Sequence, residues 1–184
     1  MELQHVNVKL FATGEPALDL ERLIRVFHAW TATQALPELL VDVADYRHVP
    51  AGPGVVLVGL EADYAWDQAQ HRDGLLYNRK AFVDGSNEDR FHQALHAAAT
   101  VGLKLEQEVG AELKLSRHEL QLLINDRALA PNTPETSAAC LPQLQQFFAK
   151  TLGHGDFSLT IEPDRRRRFG VHLRSSQPFD LAKL

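Results

Sequence analysis

Acidic, imidazole and guanidinium side chains crowd one stretch of this 184-residue sequence, residues 61–80. Glu61, Asp63 and Asp67 fall on one face of a strand, His71, Arg72 and Asp73 fill a turn, and Tyr77, Asn78, Arg79 and Lys80 return along a second strand. In such a hairpin Arg79 and Lys80 could hold an anionic ligand while Asp63 or His71 moves a proton, since burial and neighbouring charge tune these groups toward neutral pH. With residues 67 and 75 opposed near the turn, Asp63 falls opposite Arg79. The candidate ligand-binding set is Asp63, Asp67, His71, Arg72, Tyr77, Asn78, Arg79 and Lys80. The competing account, which is favoured, is a solvated hairpin whose cross-strand ion pairs each contribute little.

Two smaller groups carry similar ambiguity. Glu88, His92 and His96 stand four apart and share a helical face, a spacing that suits two imidazoles and a carboxylate on a metal. No third strong ligand lies nearby in sequence, so no metal site is expected. Arg165 to Arg168 form the only basic run, and four planar guanidinium forks could clamp a phosphate or an acidic partner. The simpler account is a solvated turn in which Arg166 or Arg168 packs its stem on the sheet. Cys140 reads as a small core residue, Trp30 as core, and Trp66, beside a polar turn, as either core or a contact residue at an interface.

Several chemistries lack the local residues they require. There is no Gly-rich loop ending in Lys-Ser/Thr, no Gly-x-Ser-x-Gly elbow, no His-Glu-x-x-His and no paired-Cys site. Gly153-His154-Gly155 follows a helix instead of a strand and reads as a helix C-cap. The net charge of −5, with the acidic surplus in the first 112 residues, argues against general nucleic-acid binding. A single cysteine and the absence of a membrane-length apolar run point to a cytoplasmic protein with no membrane partner. No catalytic residue and no cofactor is assigned. The expected function is a binding or protein-interaction module, either a homodimer or bound to a protein partner. The alternative is a small-molecule enzyme or anionic-ligand-binding protein that uses the 61–80 hairpin, with a small anionic ligand as its partner.

The elements that must position these groups follow from periodicity. Val6, Val8 and Leu10 alternate with His5, Asn7 and Lys9, the pattern of a strand with one wet face. Leu20, Leu23, Ile24, Phe27 and Trp30 mark an amphipathic helix over roughly 17–34, after a break at Thr13 to Pro16. A short strand at 39–43 and a Pro/Gly loop at 46–54 lead into one long strand from 55 to 66, and 74–82 returns beside it. Ser86 and Asp89 suggest a capping box for a central helix over 87–109. Leu113 to Ile124 reads as a hairpin turning at Ser116 to His118. Pro142 argues for a turn followed by a helix over 141–152, and 157–161 with 169–173 form a last hairpin. The expectation is an α+β fold: a mainly antiparallel sheet of 7–8 strands with three helices on one face, in the order β-α-β-β-β-α-β-β-α-β-β. It covers 1–174 as a single domain or as two lobes, 1–85 and 86–174. Residues 175–184 form a loosely ordered tail, and the strand at 2–10 and the last hairpin are candidate exposed edges.

Overall fold

The computed structural model describes residues 1–14, 18–49 and 52–184. Along the chain run β1 (Val6–Thr13), α1 (Leu20–Thr33), β2 (Leu40–Asp45), β3 (Val55–Gly59), β4 (Ala62–Asp67), β5 (Gly74–Arg79), α2 (Asn87–Val109), β6 (Lys114–Ile124), α3 (Pro134–Leu152), β7 (Phe157–Ile161) and β8 (Gly170–Ser175). The eight strands form one antiparallel sheet in the order β2-β3-β4-β5-β1-β6-β8-β7, and the fold is α+β. Strands from both halves of the chain share this sheet, because β1 pairs with β5 on one side and β6 on the other. No helix among the described residues is long and apolar enough to cross a membrane.

All three helices lie on one face of the sheet. Strand alternation sends Val8, Leu10, Leu75, Tyr77, Leu120, Leu122, Val171 and Leu173 to that side, where all are buried. α2 crosses β1, β5 and β6, and α1 covers β2 and β3. α3 reaches the core through Phe147 against Phe91 and Phe148 against Phe157. Gly102 lets α2 sit close to the sheet: a Cβ there would come within 2.7 Å of Leu115 Cδ1 and 2.9 Å of Leu10 Cδ1. α2 spans the expected residues because Ser86 and Asp89 do form a capping box, each satisfying the other's backbone donor.

Several expectations are corrected. The predicted long strand at 55–66 is two strands, since the chain turns at Leu60 and Glu61 and the buried phase switches from odd residues (Val55, Leu57) to even ones (Ala62, Tyr64, Trp66). Gly59 makes the turn, as a Cβ there would lie 2.5 Å from the Ala62 carbonyl oxygen. The predicted hairpin at 113–124 is the single strand β6. Its polar residues form a bulge in which Ser116 Oγ accepts from the His118 and Glu119 amides, replacing the lost ladder bonds. α3 runs through Pro142 without a preceding turn. A proline inside a helix, which loses one backbone bond and crowds the carbonyl four residues back, costs about 3 kcal/mol; burying Cys140, Leu144, Phe147 and Phe148 returns roughly 1.5–3 kcal/mol for each large side chain.

The tail from Ser175 is packed, with Phe179, Leu181 and Leu184 buried and the Phe179 amide donating to the Arg117 carbonyl. The strand at 2–10 is no edge: β1 is central, and the edges are β2 and β7. Trp66 is core, 1% exposed, because β4 puts it on the helix-covered side. α1 starts at Leu20 with Asp19 as its cap. The expected start at 17, part of the Thr13 to Pro16 break, and part of the 46–54 loop fall on residues 15–17 and 50–51, outside the described residues.

Candidate functional site

The register of the β4–β5 hairpin disperses the cluster at residues 61–80. Asp67 pairs with Gly74 and Asp63 with Asn78, one residue away from the predicted alignment. Because side chains alternate, that single step puts Asp63 and Arg79 on opposite faces of the sheet. Asp63 instead meets Lys80 at 2.7 Å, and Lys80 also donates to the Gly59 carbonyl. Arg79 meets Glu61 at 2.8 Å and donates to the Ala81 and Phe82 carbonyls.

Tyr77 and Arg79 face the helices and line a 310 Å³ cleft with Tyr64, Glu38, Gln93 and His96. There the Tyr64 hydroxyl donates to Glu38, and the Tyr77 hydroxyl bonds the Gln93 amide. Burial, aided by the Glu38 carboxylate, raises the Tyr64 pKa, so its phenol stays protonated. Asn78 points to the other face and accepts from Asn7 Nδ2 at 2.7 Å. His71 and Arg72 sit in the turn.

Only Asp67 of the predicted set lines the site that the uncovered face builds. At its centre is Lys9, expected to be wet yet 3% exposed. Its ammonium donates to Asp67 Oδ2 at 2.5 Å and to the Arg72 carbonyl at 2.6 Å. Burial pulls its pKa below the usual lysine range, against the pull of Asp67. The cover is the β4–β5 turn, which folds over this face with Gln70 and His71 both in the left-handed region (φ 61° and 56°). Two adjacent non-glycine residues in that region cost on the order of 1 kcal/mol each. The anchors that hold them are Lys9 on the Arg72 carbonyl and the Arg72 guanidinium, which lies 3.9 Å from the Phe11 ring centroid and bonds Glu119.

Two further segments close the pocket. Asp126 accepts from the Ala128 and Leu129 amides, an Asx-type turn that projects Arg127. The buried Asn132 amide donates to the Glu162 and Asp164 carbonyls and holds the loop before β8. Phe169 enters the core and Gly170 pairs with Leu123, so alternation directs Arg168 to the uncovered face. The result is a 240 Å³ pocket floored by Leu76, Lys9, Gln121 and Leu123 and lined also by Asp67, Gln70, Arg127, Glu162, Arg167 and Arg168.

The electrostatics of this pocket are one-sided. Four cations face two carboxylates, in a chain with a net charge of −5. Lys9 takes Asp67, and Arg167 approaches Glu162 at 3.9 Å. Arg127 and Arg168 have no side-chain hydrogen bond or ion pair among the described residues. Burial lowers the Arg168 pKa; Asp67 opposes that shift and Arg127 adds to it. The arginine run is thus divided: Arg166 pairs with Asp164 and is solvated, whereas Arg168 lies against the sheet and faces the pocket.

Beside the pocket, Glu119 collects Arg72, His172 at 2.9 Å and Arg174 at 3.6 Å. Burial works to raise its pKa, but the Arg72 and His172 contacts outweigh it and hold the carboxylate below its usual range. Burial in turn lowers the His172 pKa, and its ring stands edge-on to Phe11 at 5.2 Å.

The helical group Glu88, His92 and His96 diverges. Glu88 meets Lys150 at 2.5 Å, His92 packs edge-on to Phe147 at 4.9 Å, and His96 lines the helix-side cleft. Cys140 is buried, which raises its thiol pKa. Sequence reasoning missed Lys9, Gln121, Arg127, Glu119 and His172 as site residues. The signals for them were slight: a lysine among the alternating polar residues of the first strand, and an Asn-Asp-Arg turn after β6. Compared with known protein families and with curated proteins, the chain matches no family model and no curated sequence.

Proposed function

We propose that this protein binds a small anionic ligand in the pocket above Lys9, held by Arg127, Arg167 and Arg168. One observation carries the reading: two guanidinium groups without a protein acceptor among the described residues line the same half-enclosed pocket. Like charges converging there are unfavourable until an anion joins them, and the planar forks suit phosphate or carboxylate. The pocket's 240 Å³ holds about eight waters' worth of liquid at ~30 Å³ each, which suits a metabolite of a few carbons. The test is thermal denaturation and calorimetry with inorganic phosphate at low ionic strength. A saturable rise in Tm that Arg127→Ala and Arg168→Ala each weaken at least about tenfold in affinity supports the reading. A Tm that responds equally in wild type and in the double variant overturns it.

A second reading, association through a sheet edge, is supported by β2. Leu39, Val41 and Leu60 are 55%, 56% and 64% exposed at one end of that edge strand, which pairs on one side alone. Open backbone groups beside apolar side chains favour strand addition by a second copy or another protein. A light-scattering mass above 20.6 kDa that falls in Val41→Lys supports it; a concentration-independent monomer removes the homodimer.

A further inference from the structure

We propose that the pocket's ligand is a small carbonyl compound that also bears an anionic group, and that Lys9 captures it as an imine. The inference deepens the anion-binding reading and rests on it. Its geometric basis is the placement of Lys9, the one lysine among the described residues that lines the pocket. Lys9 lies on the central strand between Leu76 and Gln121, in the floor beneath the arginines. An anion held by Arg127 and Arg168 therefore places the rest of a short molecule over that floor.

The supporting chemistry is local. Asp67 Oδ2, 2.5 Å from the ammonium, is placed to take its proton. Removal from water already disfavours the charged amine. The walls supply Leu76 and Leu123 for a carbon skeleton and the Gln121 amide for a hydroxyl. Two consecutive left-handed residues, Gln70 and His71, hold the cover closed over this amine, strain of a kind that clusters at functional sites.

The step balances without a further reactant. The Lys9 ammonium gives a proton to the Asp67 carboxylate, and the freed lone pair attacks the carbonyl carbon as the C=O π pair moves to oxygen. The proton that the nitrogen must now lose passes to that oxygen, giving a neutral carbinolamine. The Asp67 carboxylic acid then protonates the hydroxyl, which leaves as water while the nitrogen lone pair forms the C=N bond. The ammonium and the carbonyl compound become an iminium ion and one water.

The experiment is reductive trapping of the wild-type protein with cyanoborohydride and glyoxylate or glyceraldehyde 3-phosphate, followed by peptide mass mapping. Acetaldehyde serves as the carbonyl probe without an anion. The expected result is labelling of Lys9 ahead of the exposed Lys114 and Lys150, faster by tenfold or more with the anionic probes than with acetaldehyde. Inorganic phosphate should protect Lys9, and Arg168→Ala should slow its labelling about tenfold. Lys9→Arg, which keeps a cation opposite Asp67, should lose the label at this position alone. If Lys9 stays unlabelled while surface lysines react and phosphate still raises Tm, the imine fails and the anion site stands. If Lys9 reacts equally with all three probes and phosphate neither protects it nor raises Tm, the anionic class and the anion site fail together.

Discussion

The two faces of this sheet are built from the same strands, residue by alternating residue, yet they solve opposite problems. On the helix-covered face, Val8, Leu10, Leu122 and Leu173 meet apolar partners, and the Tyr77 hydroxyl finds a local partner in Gln93. On the other face, Asn7 and Lys9 of the same strand β1 are as deeply buried, but beneath turns and loops instead of a helix layer. Burial of the first kind contributes stability; burial of the second kind consumes it to hold charge in a chosen place. A face that is buried, charged and incompletely neutralised is where a ligand contributes most.

That contrast can be tested in order of expected size. Phe91→Ala, on the helix side, should cost about 3–5 kcal/mol in urea denaturation and leave the phosphate affinity of the folded fraction unchanged. Asp67→Ala should come close to it, at roughly 3 kcal/mol, because it strands the Lys9 ammonium with one carbonyl as its remaining acceptor. The paired replacement Lys9→Met with Asp67→Leu should recover most of that loss while abolishing imine trapping. Recovery would confirm that the pair is kept for something other than stability; a double variant as unstable as Asp67→Ala would break the comparison.

An intermediate effect should appear on acidification. Burial holds the His172 pKa in the folded protein below the ordinary imidazole value of 6.5, so from there down to its folded pKa the unfolded chain binds more protons and stability falls with pH. Glu119, held below the ordinary carboxyl value of 4.5, adds a second loss as pH drops through that value toward its folded pKa. Denaturation midpoints between pH 7.5 and 5 should decline in wild type and flatten in His172→Asn; an unchanged slope removes His172 from this role.

The smallest stability effects belong to exposed charge. Asp63→Ala and Lys80→Ala should each cost under about 1 kcal/mol and combine additively, since both partners are partly solvated. Arg168→Ala should leave stability within about 0.5 kcal/mol, or raise it at low salt by relieving its repulsion with Arg127, although it removes a proposed ligand contact. A substantial loss of stability in Arg168→Ala would mean that its role is structural and that the two faces differ less than described.

How much of this was legible along the chain follows from the range over which each signal acts. The capping box at Ser86 and Asp89 and the apolar stripe of α2 lie within a few turns of one another, and that helix appears with the expected bounds. The three helices on one face of an antiparallel sheet follow from the same local periodicities. Ser116 was misread because a polar residue that satisfies two backbone amides in a bulge has the composition of a turn. Pro142 was misread because its local cost is plain in sequence, whereas the burial of Phe147 and Phe148 that outweighs it is not.

The candidate site shows the limit most clearly. Residue types and alternation along each strand determine which side chains share a face, and they bring out the charge density at 61–80 and 165–168. A register step of one residue, set by the turn at Gln68 to Asp73, separates Asp63 from Arg79 and sends the predicted cluster to different places. Lys9, Asp67, Arg127 and Arg168 come together only because β1, β4, the loop after β6 and the loop before β8 converge over the uncovered face. Periodicity has a range of a few residues, whereas strand order and register arise from burying the whole sheet at once. The elements of this protein are therefore written locally, and its site belongs to the tertiary arrangement.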